Sequence, residues 1–335
     1  MSPRNTRERS GFALIVVLLV VVLLELLLLQ LGVECRVNMD AAANWRAAQQ
    51  ALCCAEAGLS AAAGLVTHPE APPTAETLRD AFAKELEVGG GTCTVKIAQH
   101  NGRLNVRSLT DQKGRLSRPR ADQLLGLIDL LNVERTGEKL ISYRLVPSLA
   151  DWLDADDEVT VLPFVQRENE GAEDDYYNEL DPPYDCKNGP PDALDELQLV
   201  RGVTRDAFVP PAEDEQDAGS GLREFLTIYG SDKVDVNYAP PTVLAALSER
   251  VSLEAARVIV DARFEGPFEN IEDLGAVGGL SKEAFDALRP HLTARAEVPY
   301  FEVTATGQAH GATRTLRSVF RAENGRAIEI LREEL

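Results

Sequence analysis

Asp151, Asp154, Asp156 and Asp157 form one acidic run, Glu170, Glu173, Asp174 and Asp175 a second, and Asp181, Asp185 and Asn188 follow in the same loop-rich stretch. Between Asp151 and Asp217 stand 21 Asp and Glu against 4 Lys and Arg, a local charge of −17. Crowded carboxylates repel one another unless they face water or a cation. Hard oxygen ligands in an irregular loop suit calcium, which takes about 6–8 oxygens at roughly 2.3–2.6 Å. The spacing is not that of an EF-hand, so the residues alone leave two readings open, a cation site and a solvated acidic loop. Asp151 with Asp154, or Glu173 with Asp174, could imitate an acid–base pair, but that chemistry needs a separation and a split in pKa that spacing does not supply. His68, His100, His291 and His310 are scattered. Ser220 sits between Gly219 and Gly221 without the nucleophile-elbow pattern, and no glycine loop is built to cradle phosphate. The sequence therefore points away from an enzyme.

The elements that carry these residues change grammar along the chain. The 335 residues leave room for about two domains beside an anchor. Gly11 to Val33 is apolar apart from Glu25 and Gln30, and about 20 such residues cross a bilayer core. Asn38 to Leu65 continues as helix, with Ala47, Ala51, Cys54 and Leu59 making a narrow apolar stripe suited to close packing on a sheet. Pro69, Pro72 and Pro73 end it, and Glu76 to Leu86 reads as a short helix. After Gly89–Gly90–Gly91 the period becomes two: Cys93, Val95 and Ile97 face one way. Asn101–Gly102 is a hairpin signal, with Arg103 to Val106 as the return strand. The same period returns in Tyr300–Gln308, Thr313–Ala322 and Ala327–Leu331. The fold expected is α+β: a pilin-like long N-terminal helix packed on a small antiparallel sheet. A large helical insertion of two SAM-like or helix-hairpin-helix-like units interrupts it. The divisions expected are 1–11, a leader; 12–66, the helix; 67–108, the first part of the sheet domain; 109–298, the acidic insertion, in units of about 109–220 and 221–298; and 299–335, the closing strands. Leu104–Leu109 and Val234–Ala239 echo each other at the openings of the two units.

A net charge of −20 argues against nucleic acid as a partner. The five cysteines, Cys35, Cys53, Cys54, Cys93 and Cys186, show no CxxC or Cys/His metal spacing. A Cys93–Cys186 bridge is one arrangement in an oxidising compartment, and reduced core or helix-surface thiols are the alternative. Arg4, Arg7 and Arg9 precede the apolar run and hold the N-terminus in the cytoplasm, sending the body across.

Ser10–Gly11–Phe12, a basic leader ending in Gly before an apolar helix, resembles a prepilin peptidase site, which implies cleavage between Gly11 and Phe12. Most pilins and pseudopilins carry Glu at the fifth mature position; here that residue is Val16. The general secretion pathway protein K family typically lacks it. The body is similar to that family as well, in LADWLDADD (149–157), GAEDDYY (171–177), the Pro182–Pro183–Tyr184 triplet, DELQLVRGV (195–203), VDVNYAP (234–240), IVDARFEGPF (259–268) and YFEVTATG (300–307). The resemblance implies a minor pseudopilin of type II secretion, processed by prepilin peptidase and placed at the pseudopilus tip, where it helps initiate assembly and export of folded proteins. It implies an inner-membrane helix, a periplasmic body, and N-methylation of the processed end. It further implies calcium in the insertion, with Glu173 and Asp174 as leading ligands, then Asp175, Asp181, Asp156 and Asn188. The partners implied are other minor pseudopilins, met through Asn38, Trp45, Leu52 and Leu59, with prepilin peptidase, secreted substrates and the outer-membrane secretin beyond them. The competing expectation is an anchored periplasmic binding protein whose Asp235–Leu288 resembles the helix-hairpin-helix of competence DNA receptors.

Overall fold

The computed structural model describes residues 7–67, 73–82, 85–111, 113–133, 135, 140–166, 168–209 and 220–335. Residues 1–6, part of the expected leader, with Pro69, Pro72 and the segment around Asp214–Gly219, lie outside them.

Helix α1 (Arg7–Val66) is continuous and has two environments. Up to Arg46 its described side chains are exposed; from Ala47 onward Ala47, Ala51, Cys54, Ala55, Leu59 and Ala62 are buried. The small side chains let the helix lie very close to a five-stranded antiparallel sheet. That sheet is ordered β1 (Leu86–Val88), β2 (Gly91–Gln99), β7 (Tyr300–Ala309), β8 (Ala312–Glu323), β9 (Arg326–Glu334). Val95, Val303, Ala305, Leu316 and Phe320 meet α1 from the sheet. The alternation expected of Tyr300–Gln308 is borne out, with Phe301, Val303, Ala305 and Gly307 buried and their neighbours half-buried or exposed.

Two local readings are corrected. Leu86–Val88 is a strand, and Gly89–Gly90 is its turn, both glycines at positive φ; the helix before it, α2, spans only Ala75–Asp80. The chain does not return along the sheet after Asn101–Gly102. It makes a 3-10 turn, and β3 (Leu104–Asn105) pairs in parallel with β4 (Leu226–Thr227) of the insertion. Asn101 is buried, and its side chain is used for a distant contact: Nδ2 donates to Val298 O at 3.0 Å and Oδ1 accepts from Tyr300 N at 2.8 Å. One residue thus ties together the two crossings between sheet and insertion. Asn101→Ala removes both bonds and leaves a buried amide and carbonyl bare, and should cost about 2–3 kcal/mol in denaturant unfolding. A loss under about 0.5 kcal/mol would mean the joint is held elsewhere.

The insertion contains α3 (Arg118–Asn132), α4 (Leu145–Leu153), α5 (Asp174–Tyr177), α6 (Arg205–Phe208), β5 (Val234–Asp235), α7 (Pro241–Ala246), α8 (Leu253–Glu265), α9 (Lys282–Leu288) and β6 (Leu292–Thr293). Its two groups of helices bury one continuous core, from Leu104 through Leu149 and Leu244 to Leu292. The echo between the unit openings has a structural counterpart. Each is a two-residue strand in a parallel pair. In each an Asx oxygen accepts the N–H two residues on, Asn105 from Arg107 at 3.1 Å and Asp235 from Asn237 at 3.0 Å. Ser281 caps α9 as expected, its hydroxyl accepting from Ala284 N.

Position of the insertion follows from the helix–sheet register. Gly91 lies by Cys54, Cys93 by Gly58, and Phe301 clusters with Val66, so β2 runs in the same direction as α1. The insertion therefore leaves the sheet at the end farthest from the apolar half of α1. Charge pairs secure that joint: Arg223 meets Asp195 at 2.7 Å and Glu302 at 3.0 Å, and Arg317 meets Asp195 at 2.6 Å as well as Glu333. His100 is buried among these arginines, and its burial holds the imidazole neutral.

Candidate metal centre

Helix α4 ends where the acidic run begins. Asp151 lies on its buried face and Asp154 caps its C-terminal end, with Asp154 N donating to Ala150 O at 3.0 Å. The chain then loops out and returns through an antiparallel bridge between Val161 and Glu170, closed by Leu162 N to Asn169 O at 2.8 Å and Gly171 N to Thr160 O at 2.9 Å. The return is tight: a Cβ on Gly171 would stand 2.0 Å from Asp151 Oδ2. It brings Glu173, the residue before α5, back beside Asp154.

Asp154, Asp156 and Glu173 each offer one carboxylate oxygen, and these oxygens lie within 4.8 Å of one another. An ion about 2.4 Å from each oxygen fits inside that separation. Two of the three residues are buried, Asp154 at 6% exposure and Glu173 at 4%. Asp154 Oδ1, both Glu173 oxygens, Asp151 Oδ2 and Asn188 Oδ1 are buried without a hydrogen-bond partner. Gly189 N donates to Trp152 O at 3.0 Å, which lays the segment carrying Asn188 against the end of α4. Lys187 is engaged elsewhere, with Asp192 at 2.6 Å and Glu196 at 2.8 Å.

Buried anions without donors or counter-charge are costly. Burial, then Asp156 and Asp151, pushes the Asp154 carboxyl up to about 7. Burial, then Asp151 and Asp154, pushes Glu173 up to about 8. Burial also raises Asp151, although its Oδ1 accepts from Thr160 N at 2.9 Å. An all-oxygen donor set with orphaned lone pairs fits a hard cation, with Asp154, Asp156 and Glu173 as anchors and Asn188 and Asp151 adjoining.

Of the residues expected to ligate, Glu173 and Asp156 are in this cluster, and Asn188 supplies an orphaned oxygen beside α4. Asp174 is not in it. Its Oδ1 accepts from Cys186 N at 2.7 Å, so it shapes the loop instead. Asp175 and Asp181 are exposed and outside the cluster. Asp154 was missing from the expected set. Its signal was the i, i+3 spacing from Asp151 on an apolar helix, which places both carboxylates on one inward face. Tyr177 is fully buried and meets Trp152 edge-on at 5.3 Å, which makes the aromatic residues here a packing floor.

One other expectation changes. Leu59 is 2% exposed under the sheet and closed to any partner, and Leu52 is half-buried, while Asn38 and Trp45, the latter 66% exposed, lie on the projecting part of α1. Cys93 lies under α1 and Cys186 in the insertion beside Asp151, so they do not bridge; all five thiols are free.

Residues 102–209 match the first-domain family model described as type II secretion system (T2SS), protein K, and residues 234–295 match a second model of the same description. Together they cover half the chain. The chain belongs to the type II secretion system protein K family. A solved structure shares its fold: in the crystal structure of the GspK-GspI-GspJ complex from the enterotoxigenic Escherichia coli type 2 secretion system, one chain is 15% identical with a TM-score of 0.58, covering 89% of this chain and 99% of that one. No curated protein matches by sequence. The protein K family models cover most of the acidic insertion, including Asp154, Asp156 and Glu173, while the solved fold extends over α1 and the sheet. Helix α1 is the one described helix long and apolar enough to cross a membrane, with a mean hydropathy of 3.1 in its most apolar window.

Proposed function

We propose that this chain is a type II secretion minor pseudopilin cut by prepilin peptidase between Gly11 and Phe12, held in the inner membrane by the first half of α1, with its body in the periplasm. The observation that carries the proposal is the divided helix: one half exposed and apolar, the other seated on a pilin-like sheet. Its partners are other minor pseudopilins, as the assembly named for the solved complex suggests, and the exposed stretch from Asn38 to Trp45 is the surface offered to them. A tip position is supported by sterics. The insertion occupies the membrane-distal end of the molecule, where a subunit stacked above would have to sit. Val16, with no carboxylate for a neighbour's amino terminus, fits the same place. Calcium held by Asp154, Asp156 and Glu173 would neutralise the acidic loops and lock them against α4; its role is structural.

Intact mass and N-terminal sequencing of the protein from its native membrane test the proposal. The expected chain begins at Phe12 with a methylated amine, and Gly11→Leu should leave Met1 in place and block assembly. A wild-type chain that keeps Met1, or is cut well beyond Val33, would exclude pseudopilin processing.

A further inference from the structure

Glu25 is the one acidic residue in the apolar run from Gly11 to Val33. At about 1.5 Å per residue it lies roughly 12 Å from Val33 and 20 Å from Phe12, deep in the hydrocarbon. Its side chain is exposed, and it makes no hydrogen bond or ion pair with any described residue. The next acidic side chain along the helix, Glu34, is by contrast held by Gln30 Nε2 at 3.2 Å. α1 is the only candidate span among the described residues, so nothing within this chain can meet Glu25 at that depth. A second feature shares the face. Gly32 follows by seven residues, two helical turns, and nothing beyond its chain neighbours and the surrounding helix backbone lies within 4 Å of where its Cβ would be. Leu18, Val22 and Leu29 flank the same stripe.

An ionisable group facing lipid alone costs free energy, and such groups pair across helices. A glycine on that face permits close approach of a second backbone. We propose that the Glu25–Gly32 face of α1 docks a transmembrane helix of another subunit that presents a basic group, Lys, Arg or a free amine, at the depth of Glu25. The face commits to a cationic helix because the only unsatisfied polar atoms on it are a carboxylate's. The inference rests on the membrane-spanning reading above and adds to it a chemistry of recognition inside the bilayer.

The test uses the full chain in phosphatidylcholine vesicles, labelled with a donor at exposed Cys35 in a Cys53→Ser background. Acceptor-labelled synthetic leucine-rich transmembrane peptides carry either Lys or Leu at mid-depth. The Lys peptide should associate about three- to thirtyfold more tightly than the Leu peptide, the range of measured interhelical polar contacts. Glu25→Gln should erase the preference, Glu25→Asp should keep much of it, and Gly32→Ile should weaken it with Glu25 intact. Equal association of the two peptides, or a preference surviving Glu25→Gln, overturns the proposal. An alkaline wash separates the two levels. A chain that stays in the vesicles but shows no Lys preference defeats this inference alone, whereas a chain washed from them defeats the spanning reading together with it.

Discussion

Calcium at about 100 times its dissociation constant should stabilise the folded chain by about 2.7 kcal/mol and raise its melting temperature by roughly 4 °C. The reason is local: Asp154 Oδ1 and both Glu173 oxygens are buried without donors in the three-carboxylate cluster, and a cation held there would give them a partner. Variants sharpen the expectation. Asp154→Asn and Glu173→Gln should each abolish the calcium response, weakening binding by more than the roughly 10–100-fold typical of outer-shell changes. Without calcium at pH 8 the same variants should melt above the wild type, because each removes a buried, unpaired charge. Asp175→Asn and Asp181→Asn should leave the response intact, since both residues are exposed and outside the cluster. Differential scanning calorimetry with and without calcium decides it. A wild-type chain whose melting is indifferent to calcium, or variants destabilised in calcium's absence, would reduce the cluster to a solvated acidic loop.

The pH dependence has a definite sign. The cation-free carboxyls sit at about 8 for Glu173 and about 7 for Asp154, above the usual carboxylate range near 4. Between roughly pH 4 and pH 8 the folded chain therefore holds protons that the unfolded chain has released, and its stability falls as pH rises through that window. Calcium needs the ionised groups, so its affinity should move the other way, weakening as pH drops through 8 and then 7, with protons released on binding. The calcium-induced shift in melting should be large at pH 8.5 and nearly absent at pH 5.5. Equal shifts at both would mean that these two carboxyls are not ligands.

Periodicity carried far in this chain because the pilin part is regular. The helix stripe Ala47, Ala51, Cys54, Leu59 and the two-residue alternation of Tyr300–Gln308 are one-sided patterns, and each is buried on the expected side. It failed where a residue answers to something distant. Asn101–Gly102 has turn chemistry, but Asn101 is spent on Val298 and Tyr300, nearly 200 residues away, and no local window contains them. Leu86–Val88 is too short to show a period, and only its pairing with Gly91–Cys93 makes it a strand. At the candidate site, acid density located the right loops but could not say which carboxylates turn inward. Glu173 and Asp156 converge because the bridge at Val161 and Glu170 folds the loop back, while Asp175 and Asp181, equally acidic and nearby in sequence, point to water. Asp154, in the same acidic run, is absent from the expected ligands; it turns inward because it closes the buried helix α4.

The seating of α1 on the sheet is the contact on which the pilin half depends, and one glycine limits it. At Gly307 an added Cβ would stand 2.0 Å from Ala51 O and 2.6 Å from Ala55 N. Both are backbone atoms of α1, so no rotamer change relieves the clash and the helix must lift off β7. From the helix side, Gly58 meets Cys93 Sγ at 2.4 Å and Val95 Cγ2 at 2.9 Å, side-chain atoms with some freedom to give. Gly307→Val should therefore exceed the 1–3 kcal/mol usual for overpacking, leaving little folded protein, with Gly307→Ala and Gly58→Ala progressively milder. Gly64→Ala is the counterpart: it lies on the same helix with nothing within 4 Å, and should stabilise by about 0.5–1 kcal/mol through helix propensity. Opposite signs for one chemical change on one helix cannot come from propensity, which favours alanine at both helical positions. They report contact with the sheet. Thermal melts and limited proteolysis of the full chain in detergent would read both, and Gly307→Val melting like the wild type would mean that α1 does not lie against β7 as described.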